Sequence, residues 1–122
     1  MELERVVQAL GSLRVTLSAS EYDLHKAIAS ALETHGIQFH REANLLPGSR
    51  IDFLTDGGVG IEVKKGKPVR KALLQQLQRY CASPQITALL VVVERSVIRP
   101  RNIAGKPCKV LSLHALWGIA LP

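Results

Sequence analysis

The stretch from Arg50 to Lys65 reads RIDFLTDGGVGIEVKK, and it constrains the fold more than any other part of the chain. An alternating segment runs into Asp56, Gly57 and Gly58, and a second alternating segment leads out to a pair of lysines. Alternation on both sides of a short glycine-containing turn is the pattern of a β-hairpin. With those three residues as the loop, antiparallel pairing sets Asp52 opposite Glu62. Like charges directly opposed across two strands destabilise the pair, so a cation between them is the natural complement. Because side chains alternate faces along a strand, Glu62 and Lys64 share one face while Ile61 and Val63 turn towards a core.

Two carboxylates and an ammonium group gathered in this way describe a site for a hard divalent ion. Mg²⁺ takes carboxylate and carbonyl oxygens and retains several waters. Asp52, Glu62 and the backbone carbonyl of Val63 are therefore the expected ligands of Mg²⁺ or Mn²⁺. Such an ion polarises a phosphate and acidifies a bound water. Lys64 beside it would orient that water or offset the charge growing on the phosphate. The plainer alternative is a solvated sheet face on which Asp52, Glu62 and Lys64 form an ordinary cross-strand ion pair.

The distribution of charge points the same way. Residues 1–63 hold five Lys/Arg against nine Asp/Glu, a balance of −4, whereas residues 64–122 hold eleven Lys/Arg against the single acid Glu94, a balance of +10. Acids therefore gather in the half that carries the paired carboxylates and bases in the half that follows Lys64. A polyanion explains the split, because lysine and arginine contacts to phosphate supply most sequence-independent affinity for nucleic acid; charge kept for solubility is the competing explanation. With 122 residues, the chain is expected to form one domain, and its 47% apolar content suits a folded globule. No apolar run approaches the roughly 20 residues of a membrane span. The opening MELERVVQAL lacks a basic leader and a cleavage site, so a cytoplasmic location without a membrane partner is expected. Cys81 and Cys108 have no metal-type spacing and are expected to be reduced and structural. Nothing in the motifs points to an organic cofactor.

Along the chain, Leu3, Val6, Val7 and Leu10 predict a short amphipathic helix over 2–10, and Leu13, Val15 and Leu17 alternate as a strand. A second helix is predicted from about Ser20 to Thr34, with Leu24, Ala27, Ile28, Ala31 and Leu32 as its apolar stripe and Gly36 ending it. At 100° per residue, Glu21 projects into that stripe, where a carboxylate needs a partner or a metal. The structural alternative is a capping box between Ser18 and Glu21. His25, one turn on, could join the site, although a solvated histidine is the plainer expectation. Ile37 to Glu42 suggests a strand, and Asn44, Pro47, Gly48 and Ser49 a loop that leaves Ser49 and Arg50 placed to contact phosphate. Lys65, Lys67, Arg70 and Lys71 cluster at the hairpin exit and the start of a helix over 69–82. Cations there oppose the helix dipole, so phosphate is their natural ligand. That helix is expected to bury Val69, Leu73, Leu77 and Tyr80, with Gln76 reaching the neighbourhood of Tyr80. The run TALLVVV over 87–93 predicts a central strand buried on both faces. Arg95, Arg99, Arg101, Lys106 and Lys109 suggest a mobile basic arm. A strand at 109–113 and an apolar helix over 114–121 carrying Trp117 would close the chain.

Asp52, then Glu62, Val63 and Lys64, resemble the core motif of the PD-(D/E)XK nuclease superfamily. The proline of that motif is absent: Ile51 precedes Asp52. Order and context also match, with an acidic residue, Glu21, on a preceding helix and Gln76 and Tyr80 in the Q-x-x-x-Y spacing of the RecB-like branch. The resemblance covers residues 18–93 and implies a restriction-endonuclease-like α/β core of helix, three strands, helix and strand. That core would contain a mixed central sheet of about four or five strands, with the site at one edge. Residues 1–17 would be an N-terminal extension, and 94–122 a basic segment, strand and C-terminal helix. The implied activity is Mg²⁺-dependent hydrolysis of DNA leaving a 5′-phosphate, endonucleolytic in preference to exonucleolytic. Asp52, Glu62, Lys64 and Glu21 would be catalytic, and Asp52, Glu62, Val63 and Glu21 would be at the metal. Ser49, Arg50, Lys65, Lys67, Arg70, Lys71, Gln76 and Tyr80 would be on the nucleic acid. Stand-alone domains of this size resemble junction resolvases, which implies a homodimer. The alternative class is a nucleic-acid-binding module or subunit that keeps the fold without the chemistry.

Overall fold

The computed structural model describes residues 2–13, 20–94 and 100–113. The elements run α1 (Glu2–Leu10), α2 (Glu21–Thr34), β1 (Phe39–Leu46), β2 (Ser49–Thr55), β3 (Val59–Lys64), α3 (Arg70–Cys81), β4 (Ala88–Val93), β5 (Asn102–Ile103) and β6 (Lys106–Ser112). One mixed sheet orders the strands β1-β2-β3-β4-β6-β5. β1, β2 and β3 form an antiparallel meander. β4 and β6 then add in parallel, and the two-residue β5 folds back on β6. The first parallel pairing needs a crossover, and α3 supplies it between β3 and β4. The class is thus α/β, with one strand more than the sequence suggests. None of the described helices is long and apolar enough to cross a membrane.

Two apolar layers hold the sheet. On one face Leu3, Val6, Leu10, Leu24, Ile28 and Leu32 of α1 and α2 pack on Phe53, Ile61, Val63, Leu90 and Val92. On the other, Leu73, Leu77 and Tyr80 of α3 pack with Ile51, Leu89, Val91 and Val93. Every residue of β4 is buried, which is why its sequence is apolar throughout instead of alternating. α1 is not a peripheral addition: Val6, Ala9 and Leu10 are wholly buried in the first layer.

Alternation breaks at one place. Phe53 belongs to the α1–α2 layer and Ile51, two residues earlier, to the α3 layer. On β1, Phe39 and Ala43 divide in the same manner. The ladder pairs Arg41 with Phe53 and Ala43 with Ile51, so Glu42 falls opposite Asp52 where both strands roll over. Glu42 takes up the roll with a left-handed backbone, φ 51.

Several sequence expectations are corrected. β1 extends to Leu46, leaving only Pro47 and Gly48 as a connection where a loop from Asn44 to Ser49 is expected. Its polar residues are exposed because β1 is the outer strand among the described residues, and an exposed strand reads as a loop by polarity alone. Ser49 is the first residue of β2 and is buried. α2 is capped by Ser20 and Asp23 in a reciprocal capping box, not by Ser18 and Glu21. Val69 is the uncapped N-terminal flank of α3 and is 72% exposed, outside the core. Arg101, Lys106 and Lys109, expected on a mobile arm, flank or lie in the β5–β6 hairpin. There the ammonium of Lys106 donates to the carbonyls of Cys81 and Ser83 at 2.8 and 2.9 Å, closing the end of α3. Cys81 and Cys108 are free and buried. Burial, and after it the neighbouring Cys81, pushes the Cys108 thiol up to about 11. Residues 14–17 of the strand expected at 13–17, the residues Arg95 to Arg99 and the C-terminal helix with Trp117 lie outside the described residues.

The turn between β2 and β3 sets the register on which the site depends. Gly58 adopts φ 90, donates to the Thr55 carbonyl at 3.0 Å and accepts from the Thr87 N–H at 2.8 Å. A Cβ on Gly58 would lie 2.7 Å from the Thr87 hydroxyl and 3.1 Å from the Gln85 carbonyl oxygen. A left-handed backbone costs a non-glycine residue about 1–2 kcal/mol before any clash. Gly58→Ala should therefore lower Tm by roughly 5–15 °C in calorimetry; an unchanged Tm would mean that the turn relaxes freely.

Candidate functional site

The β2–β3 ladder pairs Leu54 with Gly60 and Phe53 with Ile61, so the next residues in that register are Asp52 and Glu62. The paired rungs stop there, and the two carboxylates take over. The Val63 N–H donates to Asp52 Oδ2 at 2.8 Å, and the Asp52 N–H donates to Glu62 Oε1 at 3.4 Å. Each acid thus satisfies a backbone donor of the opposite strand. The site lies between two inner strands, not at an edge of the sheet as the sequence suggests.

Glu62 is 4% exposed, an unusual position for a carboxylate. Burial first, and then the negative charge of Asp52, raise its pKa above the ordinary value; the charge and hydrogen bond of Lys64 and the nearby Tyr80 hydroxyl work against the rise. Lys64 Nζ lies 3.1 Å from Glu62 Oε2. The Tyr80 hydroxyl accepts from Gln76 Nε2 at 2.8 Å and donates to the Arg50 carbonyl at 3.1 Å. Burial and the adjacent Glu62 push the Tyr80 phenol upward, so it stays protonated as a donor. Tyr80 is therefore both a core aromatic and the polar support behind Glu62, and the Q-x-x-x-Y spacing brings Gln76 and Tyr80 together as expected.

His25 is the residue that sequence reasoning undervalued. It is not solvated: its ring stacks at 5.4 Å, tilted, against Phe53, and its Nε2 is buried without a hydrogen-bond partner. That nitrogen stands 3.7 Å from Asp52 Oδ2, too far for a hydrogen bond. A buried polar atom left unsatisfied costs about 1–3 kcal/mol, so a group that fits between the two would be welcomed. The available signal was the spacing of His25 four residues beyond Glu21, with the apolar Leu24 and Ile28 around it.

Glu21 is exposed at the first turn of α2 and does not enter the apolar stripe. It lines an open groove of about 550 Å³ with Tyr22, His25, Arg41 and Glu42, which leads to the Asp52 side of the site. Among the expected phosphate contacts, Lys67, Arg70 and Lys71 are exposed and free of ion pairs within 4.0 Å among those described. Lys65 is 3.4 Å from Glu94 Oε2, the same oxygen that accepts the Gly66 N–H at 2.9 Å, so it serves the turn after β3. Arg50 is exposed. Ser49 is turned inward with a buried, unpartnered hydroxyl and is removed from the phosphate-contacting set.

The donors at Asp52 and Glu62 suit a hard divalent cation, since a positive charge between them relieves the burial and repulsion that raise Glu62. Among the described residues no group of three or more His, Cys, Asp or Glu is arranged to hold a metal ion. One or two carboxylates completed by water and substrate is the habit of Mg²⁺, so the sparse set fits that ion better than one needing a full protein cage. Comparison of the chain with protein-family models, curated proteins and solved structures gives no match.

The Glu62 shift carries a pH dependence whose sign is fixed. A carboxyl raised above 4.5 in the fold contributes stability below that pH and loses it as pH rises through the folded value. In EDTA, Glu62→Gln should gain stability relative to the parent as pH is raised from about 5 to 8, measured by urea denaturation. A difference that stays flat with pH would contradict the burial and repulsion assigned to Glu62.

Proposed function

We propose that this chain is a metal-dependent nuclease that hydrolyses phosphodiester bonds in DNA. The observation that carries the proposal is the hairpin register that sets Asp52 against Glu62, with Lys64 Nζ 3.1 Å from the buried Glu62 carboxylate. Asp52, Glu62 and the Val63 carbonyl would hold Mg²⁺ or Mn²⁺, with the unpartnered His25 Nε2 and the exposed Glu21 on the Asp52 side. The ion, when bound, supplies phosphate polarisation and an acidified water. Lys64 would place an ammonium, held by the buried Glu62, where charge develops on the phosphate. Tyr80, bonded to Gln76 and to the Arg50 carbonyl, stands beside Glu62. Lys67, Arg70 and Lys71, with Arg50, hold flanking phosphates in a sequence-independent way. The order α2, β1, β2, β3, α3, β4 agrees with the helix, three strands, helix and strand that the resemblance implies and supports the same reading, as does the resemblance of Asp52, Glu62, Val63 and Lys64 to the PD-(D/E)XK motif. Within that class a structure-specific endonuclease resembling junction resolvases is favoured, acting as a homodimer in the cytoplasm.

A second reading has an observation of its own: both carboxylates already bond backbone N–H groups, which gives them a structural use. On that reading the domain binds nucleic acid without cutting it. The two separate on purified protein with Mg²⁺ or Mn²⁺ and four-way junction, duplex and single-stranded substrates. Wild type should cut at least one of them, and Asp52→Asn, Glu62→Gln and Lys64→Met should each lose about a hundredfold or more in rate. Binding without cleavage across all substrates and both metals would sink the nuclease in favour of the binding module. Independently of activity, Mg²⁺ or Mn²⁺ well above its Kd should raise the Tm of wild type by several degrees, about 2.7 kcal/mol at a hundredfold excess, and leave a doubly substituted Asp52→Asn, Glu62→Gln protein unchanged.

A further inference from the structure

The groove beside the carboxylate pair has a feature that the cleavage chemistry does not use. Of the described aromatic residues, Phe53 and Tyr80 are buried and Phe39 packs against the core, whereas Tyr22 is 68% exposed on α2. It lines the groove with Glu21, His25, Arg41 and Glu42. Tyr22 and His25 are three residues apart on one helix, and such positions are neighbours with Cβ atoms roughly 5–6 Å apart. His25 Nε2 in turn stands 3.7 Å from Asp52 Oδ2. An aromatic ring is thus held open to solvent one helical step from a side chain that touches the candidate reaction centre. Lys26 lies over the ring with its Nζ 5.6 Å from the centroid, and Tyr22 as a whole remains 68% exposed. Arg41 is similarly fixed, with its guanidinium 5.6 Å from the centroid of Phe53.

The groove's charges bear on what it takes. Glu21 and Glu42 offset Arg41 and the nearby Lys26, so this surface has no net attraction for a continuous phosphate track. An unstacked base suits it better, being neutral, flat and edged with hydrogen-bond donors and acceptors that match mixed charges. We propose that Tyr22 is a stacking platform for an unpaired base, so that the site takes single-stranded or frayed nucleic acid in preference to intact duplex. The inference rests on the nuclease reading for its placement beside the carboxylates. Aromatic stacking captures bases without regard to sequence, because every base presents a π-face. The base seated on Tyr22 would set the adjoining phosphate towards Asp52 and Lys64, while the exposed Lys67, Arg70 and Lys71 hold the strand beyond.

The test is fluorescence anisotropy in EDTA at one fixed salt concentration. A labelled oligothymidine of about 15 nucleotides, near the upper site size of single-strand binders, is compared with a duplex of equal length. Tyr22→Ala should weaken binding of the single strand by roughly 5- to 100-fold, the range for one base–aromatic stack, and change duplex binding by less than about twofold. Tyr22→Phe should retain the affinity, since the ring and not the hydroxyl is used. An exposed ring is removable without unfolding, and an unchanged Tm of Tyr22→Ala confirms that the comparison is sound. Equal affinity of Tyr22→Ala and wild type for the single strand, or equal loss on both ligands, would overturn the stacking role, as would a wild type that binds neither. Because metal is absent, the result stands apart from cleavage: a Tyr22-dependent single-strand binder that cuts nothing with Mg²⁺ or Mn²⁺ would defeat the nuclease while leaving this inference intact.

Discussion

The β2–β3 ribbon is held at its far end by carboxylates instead of by ladder rungs. Once the paired rungs end at Phe53 and Ile61, Asp52 accepts from the Val63 N–H and Glu62 from the Asp52 N–H. Those bonds tolerate what would otherwise be a poor arrangement, two like charges placed side by side with one of them nearly out of water. Hydrogen bonds to charged acceptors contribute about 1.5–3 kcal/mol each, enough to hold two acids together but not to remove their repulsion. The neighbours answer that residual strain: Lys64 places a cation against Glu62, and Tyr80 reaches in from α3.

That arrangement depends on layers built for packing. Phe53, in the α1–α2 core, carries the His25 ring, and Tyr80, in the α3 core, carries its hydroxyl to the Arg50 carbonyl. The roll of β1 and β2 at Glu42 and Asp52 moves Asp52 off the regular alternation, which lets it touch α2 on one side and β3 on the other. A strictly pleated β2 would have sent Asp52 to the α3 face with Glu62, out of reach of His25.

Much of this was legible in the sequence, because the governing signals are local. Alternation around Asp56, Gly57 and Gly58 gives the loop length, and loop length gives the register of Asp52 with Glu62. The continuous apolar run of β4 gives its central position. Less could be read where two physical effects share one sequence pattern. The polar residues of β1 look like a loop because an outer strand and a loop expose the same side chains. Ser18 with Glu21 and Ser20 with Asp23 satisfy the same capping rule, and only the helix start decides between them. Lys65 and Lys106 count as basic residues in any tally, yet one serves a turn and the other a helix end. His25 was only partly legible: its place one turn beyond Glu21 puts it near the site, but Asp52 is distant in sequence and comes within 3.7 Å of it only through the roll of β2.

The left-handed Glu42 has a wider effect on how the molecule keeps to itself. Among the described residues β1 is the outermost strand on its side of the sheet, and a flat outer strand offers free N–H and C=O groups to any passing chain. A backbone twist in its middle, with exposed His40, Arg41 and Asn44 around it, spoils the even row of donors and acceptors that strand addition requires, and charged side chains repel a second copy. Growth of the sheet by edge-to-edge aggregation is thereby discouraged on this flank, and two copies that associate have reason to meet through some other surface.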